Sequence, residues 1–243
     1  MKLLLISGHG AGDPGAVCGS YREADETRKM TAAVAGYLEG MAEVTIYPTD
    51  RNAYEDFRKG TLHSIAGFAQ YDYVLEIHFN AFQASSVDGK RKGSEIYWVL
   101  DESKARTILD SVVRLGFPDR GTKVQSLAVI NAAKSKDVPA ALLEVCFIDD
   151  ADDMALYTDD RQAVARAIAG GIAKAFNLTQ KKEDEDMGYK TYVTYDDVPD
   201  WGKPTVKKLM DKGYLEGTAE GILNLDHNLL RGLVINDRAG LYD

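Results

Sequence analysis

Apolar residues in the first three quarters of the chain fall into two kinds of pattern. Some form short unbroken runs, and others recur at every third or fourth position over longer stretches. A short unbroken run predicts a strand buried on both faces, and the longer period predicts an amphipathic helix. The predicted strands are residues 3–6, 44–47, 71–79, 94–100 and 140–147. The predicted helices are residues 22–38, 54–69, 102–115 and 159–176.

This alternation of strands and helices predicts an α/β fold for residues 1–178, with a mixed, mostly parallel sheet flanked by helices. Residues 179–188 (TQKKEDEDMG) carry charges without apolar anchors, and such a stretch is typical of a linker. Residues 189–243 contain Trp201 and two further helical patterns, at 203–212 and 229–239. They are predicted to form a small, mostly helical C-terminal module.

The composition excludes some classes of function. The net charge of -9 argues against nucleic acid as the main partner, because phosphate contacts need clustered lysine and arginine. No run approaches the roughly 20 apolar residues that span a bilayer. Residues 3–6 are too short for a signal-peptide core, so we expect synthesis in the cytoplasm without a signal peptide. Two cysteines, Cys18 and Cys146, fit a reducing compartment or unselected thiols.

Four polar residues stand at strand ends, at a helix start or inside an apolar run: His9, Glu23, His78 and Glu144. The carboxyl ends of parallel strands meet at one edge of a sheet, where such folds bind ligands. Imidazole and carboxylate groups are zinc ligands, and a catalytic zinc site uses three of them. A carboxylate inside the run 142–145 is costly unless it is paired, bound to metal or catalytic.

Ordinary structural roles remain open for these residues on spacing alone. A histidine after a strand is often only hydrogen-bonded, and Glu23 is placed where a helix dipole favours any carboxylate. Glu76 alternates with apolar neighbours, so we expect solvent or a sheet edge to satisfy it. His63, in the middle of a predicted helix, and His227, in the C-terminal module, are interpreted as non-catalytic.

Residues 10–15 (GAGDPG) also match the glycine pattern of dinucleotide-binding loops. Three features argue against that interpretation. Pro14 lacks a backbone donor, no helix opens directly after the loop, and the position about 20 residues on is not acidic. The polar loop 83–93, which includes Lys90, Arg91 and Lys92, is expected to lie exposed beside the site, either as solvated surface or as a contact for an acidic ligand.

Several segments resemble the zinc-dependent N-acetylmuramoyl-L-alanine amidases of the type-3 class, which occur in bacterial autolysins and phage endolysins. The resemblance spans residues 1 to about 178, in order. The matching segments are residues 7–10 (SGHG), 13–16 (DPGA), 21–23 (YRE), 76–81 (EIHFNA), 93–95 (GSE) and 139–148 (PAALLEVCFI).

The resemblance implies that Zn²⁺ is the cofactor, bound by His9, Glu23 and His78, and that Glu144 is the catalytic acid/base. It implies hydrolysis of the amide bond between N-acetylmuramic acid and L-alanine in peptidoglycan. Two positions depart from the family pattern. Cys146 replaces a glycine, and Glu76 replaces a small polar residue. Cys146 as a nucleophile is disfavoured, because the histidines that could activate it are assigned to zinc.

The C-terminal module resembles, more loosely, a single S-layer-homology module over residues 197–203 (DVPDWGK) and 209–217 (LMDKGYLEG), and departs from it after Leu225. The resemblance implies binding to a cell-wall ligand, and pairing between chains is expected because one module offers little surface. A dimerisation or stability tail is the alternative.

Together these features predict a phage or prophage endolysin that acts on the wall after release and lyses the host cell. A bacterial autolysin, a zinc peptidase cutting within stem peptides, a nucleotide-binding oxidoreductase and a non-catalytic wall-binding protein remain as alternatives.

Overall fold

The computed structural model describes residues 1–82, 90–179, 191–217, 221–223 and 225–242. The chain divides into two compact units, Met1–Lys181 and Lys182–Asp243. Among the described residues, no helix has both the length and the apolar character needed to cross a bilayer. All but the first residue of the predicted linker, and residues 83–89 of the predicted exposed loop, lie outside the described residues.

The larger unit alternates strands and helices, as its sequence pattern predicts. Its strands are β1 (Lys2–Ser7), β2 (Val17–Cys18), β3 (Tyr21–Arg22), β4 (Glu43–Ile46), β5 (Tyr73–Asn80), β6 (Ser94–Val99), β7 (Asp119–Lys123) and β8 (Ala140–Phe147). Its helices are α1 (Glu23–Tyr37), α2 (Ala53–Arg58), α3 (Leu62–Ala66), α4 (Glu102–Val113), α5 (Ala128–Lys134), α6 (Ala151–Asp159) and α7 (Arg161–Ala175).

Six strands form the central sheet, in the order β4-β1-β5-β8-β6-β7. The strands β4, β1, β5 and β8 run parallel to one another, β6 is antiparallel to β8, and β7 is parallel to β6. The most apolar runs, β1, β5 and β8, occupy adjacent central positions, where both faces of a strand are buried. The predicted mixed, mostly parallel sheet is confirmed.

Helices cover both faces of this sheet. Apolar residues of α1, α4 and α7 pack against one face in a large buried cluster. Apolar residues of α2, α3 and α5 pack against the other face in a second cluster. The second face also carries the polar residues at the ends of β5 and β8, so α2 and α5 lie beside them.

The structure differs from the sequence expectation at several places. The single helix predicted at 54–69 is two short helices, separated at Gly60, whose φ of 71° ends α2. The edge strand β7 was not predicted because its sequence, DRGTK, has no apolar residue. The helices α5 and α6 were also missed, and Asp160 caps α7 where the predicted helix had already begun.

The smaller unit contains β9 (Thr191–Tyr192), α8 (Lys203–Asp211), β10 (Leu225–Asp226) and α9 (His227–Arg238). The two strands pair antiparallel, and α8 and α9 match the two helices predicted from the sequence. Its own buried cluster consists of Tyr192, Val198, Val206, Leu225, Leu230 and Val234.

Candidate metal centre

Two histidines meet at the carboxyl ends of β1 and β5. The parallel register pairs Ser7 with Ile77, and the Gly8 amide donates a hydrogen bond to the Ile77 carbonyl at 2.9 Å. This register brings His9, just beyond β1, close to His78, near the end of β5. Their ring centroids are 4.9 Å apart.

Glu23, the first residue of α1, reaches both imidazoles. Its Oε2 lies 3.0 Å from His9 Nε2, and its Oε1 lies 2.9 Å from His78 Nδ1. One ligand atom from each residue lies within 4.8 Å of the others. The three residues proposed from sequence as a ligand set therefore form one cluster, with the donor types that zinc takes.

Backbone amides hold the Glu23 carboxylate in place. The Phe79 amide donates to Oε1 and the Ala16 amide donates to Oε2, each at 3.0 Å. The chain returns to the site through the β2–β3 hairpin, and the Glu23 amide donates to the Ala16 carbonyl. Glu23 is only 3% exposed, so its burial depends on these donors and on the two histidines.

Glycine at positions 8 and 15 leaves room for the cluster. A Cβ at Gly8 would lie 2.4 Å from the His78 ring, and a Cβ at Gly15 would lie 2.7 Å from both the Glu23 carboxylate and the His9 ring. His9 itself has a φ of 59°, in the left-handed region that non-glycine residues rarely adopt. The loop is shaped around these side chains at a cost in backbone strain.

Arg28, one turn and a half into α1, ties this strained loop to the helix. Its Nη2 donates to the His9 carbonyl at 3.0 Å and its Nη1 donates to the Gly8 carbonyl at 3.2 Å. The same guanidinium also donates to the carbonyls of Thr49 and Arg51. The Arg28 guanidinium thus joins three segments around the site: α1, the glycine loop after β1, and the residues after β4.

Further carboxylates contact the outer nitrogens of the histidines. Asp13 Oδ2 lies 2.8 Å from His9 Nδ1 and accepts a hydrogen bond from Asn52 Nδ2. Glu76 Oε1 lies 3.2 Å from His78 Nε2. The expectation that solvent or a sheet edge satisfies Glu76 is wrong: β5 is central, and Glu76 is buried beside the imidazole.

The charges in the cluster reinforce one another. Burial opposes charge on every member, but the hydrogen bonds from His78 and His9 hold the pKa of Glu23 well below its usual range. Burial also opposes the charged form of each imidazole. The hydrogen bonds with Glu23 outweigh this effect of burial, so the pKa of His9 and the pKa of His78 are both raised. A metal ion bound here would compete with protons for both imidazoles.

Glu144 lies beside the cluster on β8, where the register pairs it with His78. Its Oε2 is buried and has no hydrogen-bond partner among the described residues. Burial raises the pKa of Glu144 to about 7; the charge of His78 opposes this effect, and the neighbouring carboxylates add to it. A buried carboxyl group with a free oxygen and a pKa near neutrality is suited to accepting and releasing a proton.

A network around Glu95 was not predicted from sequence. Glu95 faces Glu144 across β6 and β8, and it accepts hydrogen bonds from Arg120 at 2.6 Å and Lys123 at 2.5 Å. Both cations belong to β7, whose polar sequence gave no strand signal. They compensate the buried Glu95 carboxylate next to Glu144.

A cavity of about 810 Å³ opens beside the cluster. One wall is formed by α2 and the other by α5 and the residues before it. His9, His78 and Glu76 line its floor, and His63 lines it as well but is not part of the three-residue cluster. Tyr54 and Phe57 stand exposed at its rim. The volume lies in the range of small-molecule and substrate sites.

The structure argues against Cys146 as a nucleophile and against a dinucleotide site at the glycine loop. The Cys146 side chain is fully buried in the apolar cluster with α1, α4 and α7, and burial raises the pKa of its thiol well above the ordinary 9.0. It is therefore no thiolate nucleophile. The β2–β3 hairpin follows the glycine loop in place of the helix that a dinucleotide site requires.

Comparison with known proteins identifies the family of this chain. The family profile described as N-acetylmuramoyl-L-alanine amidase matches residues 3–174. The chain is 29% identical over 218 residues to the endolysin of Bacillus phage SPP1, covering 81% of this chain and 76% of that protein. It is 28% identical over 201 residues to the sporulation-specific N-acetylmuramoyl-L-alanine amidase of Bacillus subtilis (strain 168), and this match covers 79% of this chain and 74% of that protein.

A solved structure shares the fold. The catalytic domain of CwlV, an N-acetylmuramoyl-L-alanine amidase from Bacillus (Paenibacillus) polymyxa var. colistinus, superimposes with a TM-score of 0.57 at 27% identity. The match covers 74% of this chain and 100% of that domain. Because the family profile spans well over half of the chain, this chain belongs to the N-acetylmuramoyl-L-alanine amidase family.

Proposed function

We propose that this protein is a zinc-dependent N-acetylmuramoyl-L-alanine amidase that hydrolyses peptidoglycan. The observation that carries the proposal is the cluster of His9, Glu23 and His78 beside the unpartnered buried oxygen of Glu144. Membership of the amidase family supports peptidoglycan as the substrate, and a cluster of two imidazoles and one carboxylate supports zinc as the metal.

The cluster fits zinc on the chemistry of its donors. Two imidazoles and one carboxylate are a common catalytic zinc set, which leaves a fourth position open. The space that a Cβ at Gly8 or Gly15 would fill is occupied by the ligand side chains, so the loop is built around them. Zinc held here would supply Lewis acidity, polarising the scissile carbonyl and lowering the pKa of water to about 7.

The chain's own residues then move the proton. Glu144 accepts a proton from the attacking water while the water oxygen adds to the amide carbon. The same carboxyl group passes that proton to the amide nitrogen as the carbon–nitrogen bond breaks. The products are a lactyl carboxylate on the glycan and a stem peptide with a free L-alanine amino group. The raised pKa of Glu144 suits it to both transfers.

Asp13 and Glu76 orient the imidazoles in this scheme. Each carboxylate contacts the ring nitrogen that does not face Glu23, which sets the tautomer and direction of a ligating histidine. The adjoining cavity, with Tyr54 and Phe57 at its rim, would hold the glycan and peptide on either side of the scissile bond.

Residues 189–243, which belong to the unit Lys182–Asp243, are proposed as a cell-wall-binding module, joined to the catalytic unit through a linker at 179–188. Its exposed aromatic residues Trp201 and Tyr214 support a binding role. Similarity to the endolysin of phage SPP1 supports a role in lysis of a bacterial host by action on the wall. Pairing of two chains through this module remains part of the proposal.

The test is zinc content and hydrolysis in the parent chain and in Glu144→Gln, which keeps the shape of the side chain and removes its charge. We expect about one zinc per chain in both proteins. We expect the rate on purified peptidoglycan to fall about 1,000-fold in the variant, because general acid–base transfer contributes on this scale.

The released amino terminus identifies the bond. Alanine at the new terminus supports the amidase, and another residue would indicate a peptidase that cuts within the stem. Hydrolysis that survives unchanged in Glu144→Gln would exclude Glu144 as the acid/base, and absence of zinc from both proteins would exclude the metal site.

A further inference from the structure

Four side chains form a row across the central sheet, beginning at the metal centre. The strand register pairs His78 on β5 with Glu144 on β8, and Glu144 with Glu95 on β6. Arg120 on the edge strand β7 completes the row through its hydrogen bond to Glu95. Neighbouring strands lie about 4.8 Å apart, so β7 is roughly 10 Å from Glu144, on the side away from His78.

The Glu95 carboxylate in this row is filled with hydrogen bonds. Its Oε1 accepts from the Tyr97 hydroxyl at 2.9 Å and from Asn80 Nδ2 at 3.0 Å. Its Oε2 accepts from Arg120 Nε and from Lys123 Nζ. A carboxylate has about four acceptor sites, so Glu95 has no capacity left and holds both cations in place.

Arg120 and Lys123, in contrast, keep N–H groups and charge that Glu95 does not use. Within the described residues, Arg120 has one further hydrogen bond, from Nη1 to the Lys92 carbonyl at 3.4 Å, and its Nη2 donates to no protein group. Lys123 Nζ has three N–H groups and, in the same part of the chain, one acceptor. The side chains of Arg120 and Lys123 are 38% and 36% exposed. Two cations share one carboxylate, so one positive charge is left in excess beside Glu144.

The cavity between α2 and α5 has the opposite character. Among the described residues that line it, none is a lysine or an arginine, and Asp13 and Glu76 contribute carboxylates. Its exposed rim residues Tyr54 and Phe57 offer aromatic surface, which suits the apolar face of a sugar ring. An acidic group of the substrate would find no lysine or arginine in this cavity, but it would find two cations at β7.

We propose that Arg120 and Lys123 bind a carboxylate of the stem peptide, on the residue next to L-alanine. A guanidinium and an ammonium group with unused N–H donors match a carboxylate. An extended peptide advances about 3.3 Å per residue, and the two long side chains cover the remaining distance from β7. The inference rests on the proposed amidase function, and it makes these two residues determinants of specificity for an acidic stem.

The first measurement is binding of the product peptide, which needs no hydrolysis. The full chain is titrated by calorimetry with L-alanyl-D-isoglutamyl-L-lysine and with its isoglutamine analogue, in which a carboxamide replaces the free carboxylate. We expect the acidic peptide to bind about tenfold more tightly, because its carboxylate makes charge-assisted hydrogen bonds that the carboxamide does not.

The variants Arg120→Gln and Lys123→Gln each leave one cation for Glu95 and remove the excess charge. Each is expected to reduce the preference for the acidic peptide to about threefold or less. The matched controls Arg114→Gln and Lys174→Gln change exposed residues at the ends of α4 and α7, on the opposite face of the sheet, and should keep the full preference. Equal affinity for both peptides in the parent, the full preference in both β7 variants, or its loss in the controls would overturn the proposal.

Hydrolysis of the N-acetylmuramoyl forms of the same two peptides separates this proposal from the amidase itself. We expect kcat/KM of the parent to be about tenfold higher for the acidic form, and we expect this ratio to fall in Arg120→Gln and Lys123→Gln. A structural disturbance would lower both rates and leave the ratio unchanged. Preference in peptide binding without any hydrolysis would contradict the amidase and not the carboxylate site, whereas hydrolysis without any preference would contradict only the carboxylate site.

Discussion

Glu23 is the residue on which the candidate metal centre depends, since its carboxylate contacts two imidazoles and two backbone amides. The sequence identified it only through its place beside the glycine loop and through resemblance. Its burial and its partners follow from the β2–β3 hairpin, which returns the chain to the site and which the apolar pattern did not predict.

We expect the zinc affinity of the metal-free chain to rise steeply with pH until it passes the raised pKa values of His9 and His78. Burial opposes the charged form of both imidazoles, but their hydrogen bonds with Glu23 raise the pKa of each. Zinc binds only the neutral ring, so binding at a pH below these pKa values must release protons. A chelator competition from about pH 5.5 to about pH 8 should give up to about two decades of affinity per pH unit on the acidic side. A flat profile would contradict the ligand set.

The same protons make the stability of the metal-free chain depend on pH. Both histidine pKa values lie above the ordinary 6.5 in the folded chain. Their favourable contribution is therefore complete below about 6.5 and is lost as the pH rises through the folded-state values. The Glu23 contribution is also favourable but depends on pH in the opposite direction: it is lost in acid, as the pH falls towards the depressed pKa of the carboxyl group.

Residue identities alone predicted part of this site. His9 and His78 follow apolar strands and Glu144 interrupts one, so their positions were visible in the sequence. Glu76 was misjudged, because alternation shows which face of a strand a residue occupies but not what covers that face. Here the histidine two residues along the same strand covers it.

Helix α1 and the glycine loop act as one element because Arg28 joins them. Its guanidinium donates to carbonyls on both sides of the strained His9 backbone. A lysine would keep the charge and the helix propensity but cannot donate in several directions from one planar group.

We therefore expect Arg28→Lys to weaken zinc binding by about tenfold, the equivalent of one or two lost hydrogen bonds, with helix content unchanged by circular dichroism. Arg58→Lys makes the same chemical change on the exposed surface of α2 and should bind zinc like the parent. Equal affinity in all three chains would remove Arg28 as a positioning residue.

Adjacent glycines in α7 report how closely α7 packs against α4. A Cβ at Gly171 would lie 2.9 Å from the Ile108 Cα, whereas a Cβ at Gly170 meets nothing within 4 Å. We expect Gly171→Ala to lower the free energy of unfolding by about 1–3 kcal/mol through overpacking. Gly170→Ala, its matched control, should raise it by about 0.5–1 kcal/mol through helix propensity.

Denaturant unfolding followed by circular dichroism measures both effects. Equal stability changes in the two variants would show that α4 and α7 are not in close contact at this point. The apolar period of each helix was visible in the sequence, but the partner helix that requires glycine at position 171 was not.

The whole molecule joins two units whose cores differ in size. Apolar residues on both faces of a six-stranded sheet stabilise the larger unit. In the smaller unit, the buried apolar cluster contains six of the residues that the structure describes. Units below about 70 residues gain only a few kcal/mol from such a core. The smaller unit should therefore unfold first.

We expect two transitions by scanning calorimetry, and we expect the lower one to disappear in a chain that ends at Leu178. That shortened chain should keep the upper transition and its hydrolysis of soluble fragments, and lose binding to intact walls. A single transition in the full chain, also reported by Trp201 fluorescence, would mean that the two units unfold together.

The sequence by itself determined the central strands and the main helices, because apolar runs and periods record burial. It also predicted, through the resemblance, the four residues that the proposal places in the reaction. Only the tertiary structure decided the edge strand β7, the hairpin before Glu23 and the burial of Glu76 and Glu95. Each of these depends on which distant segments become neighbours: a polar strand such as β7 gains its hydrogen bonds from a partner strand, and a buried carboxylate gains its counter-charges from another part of the chain.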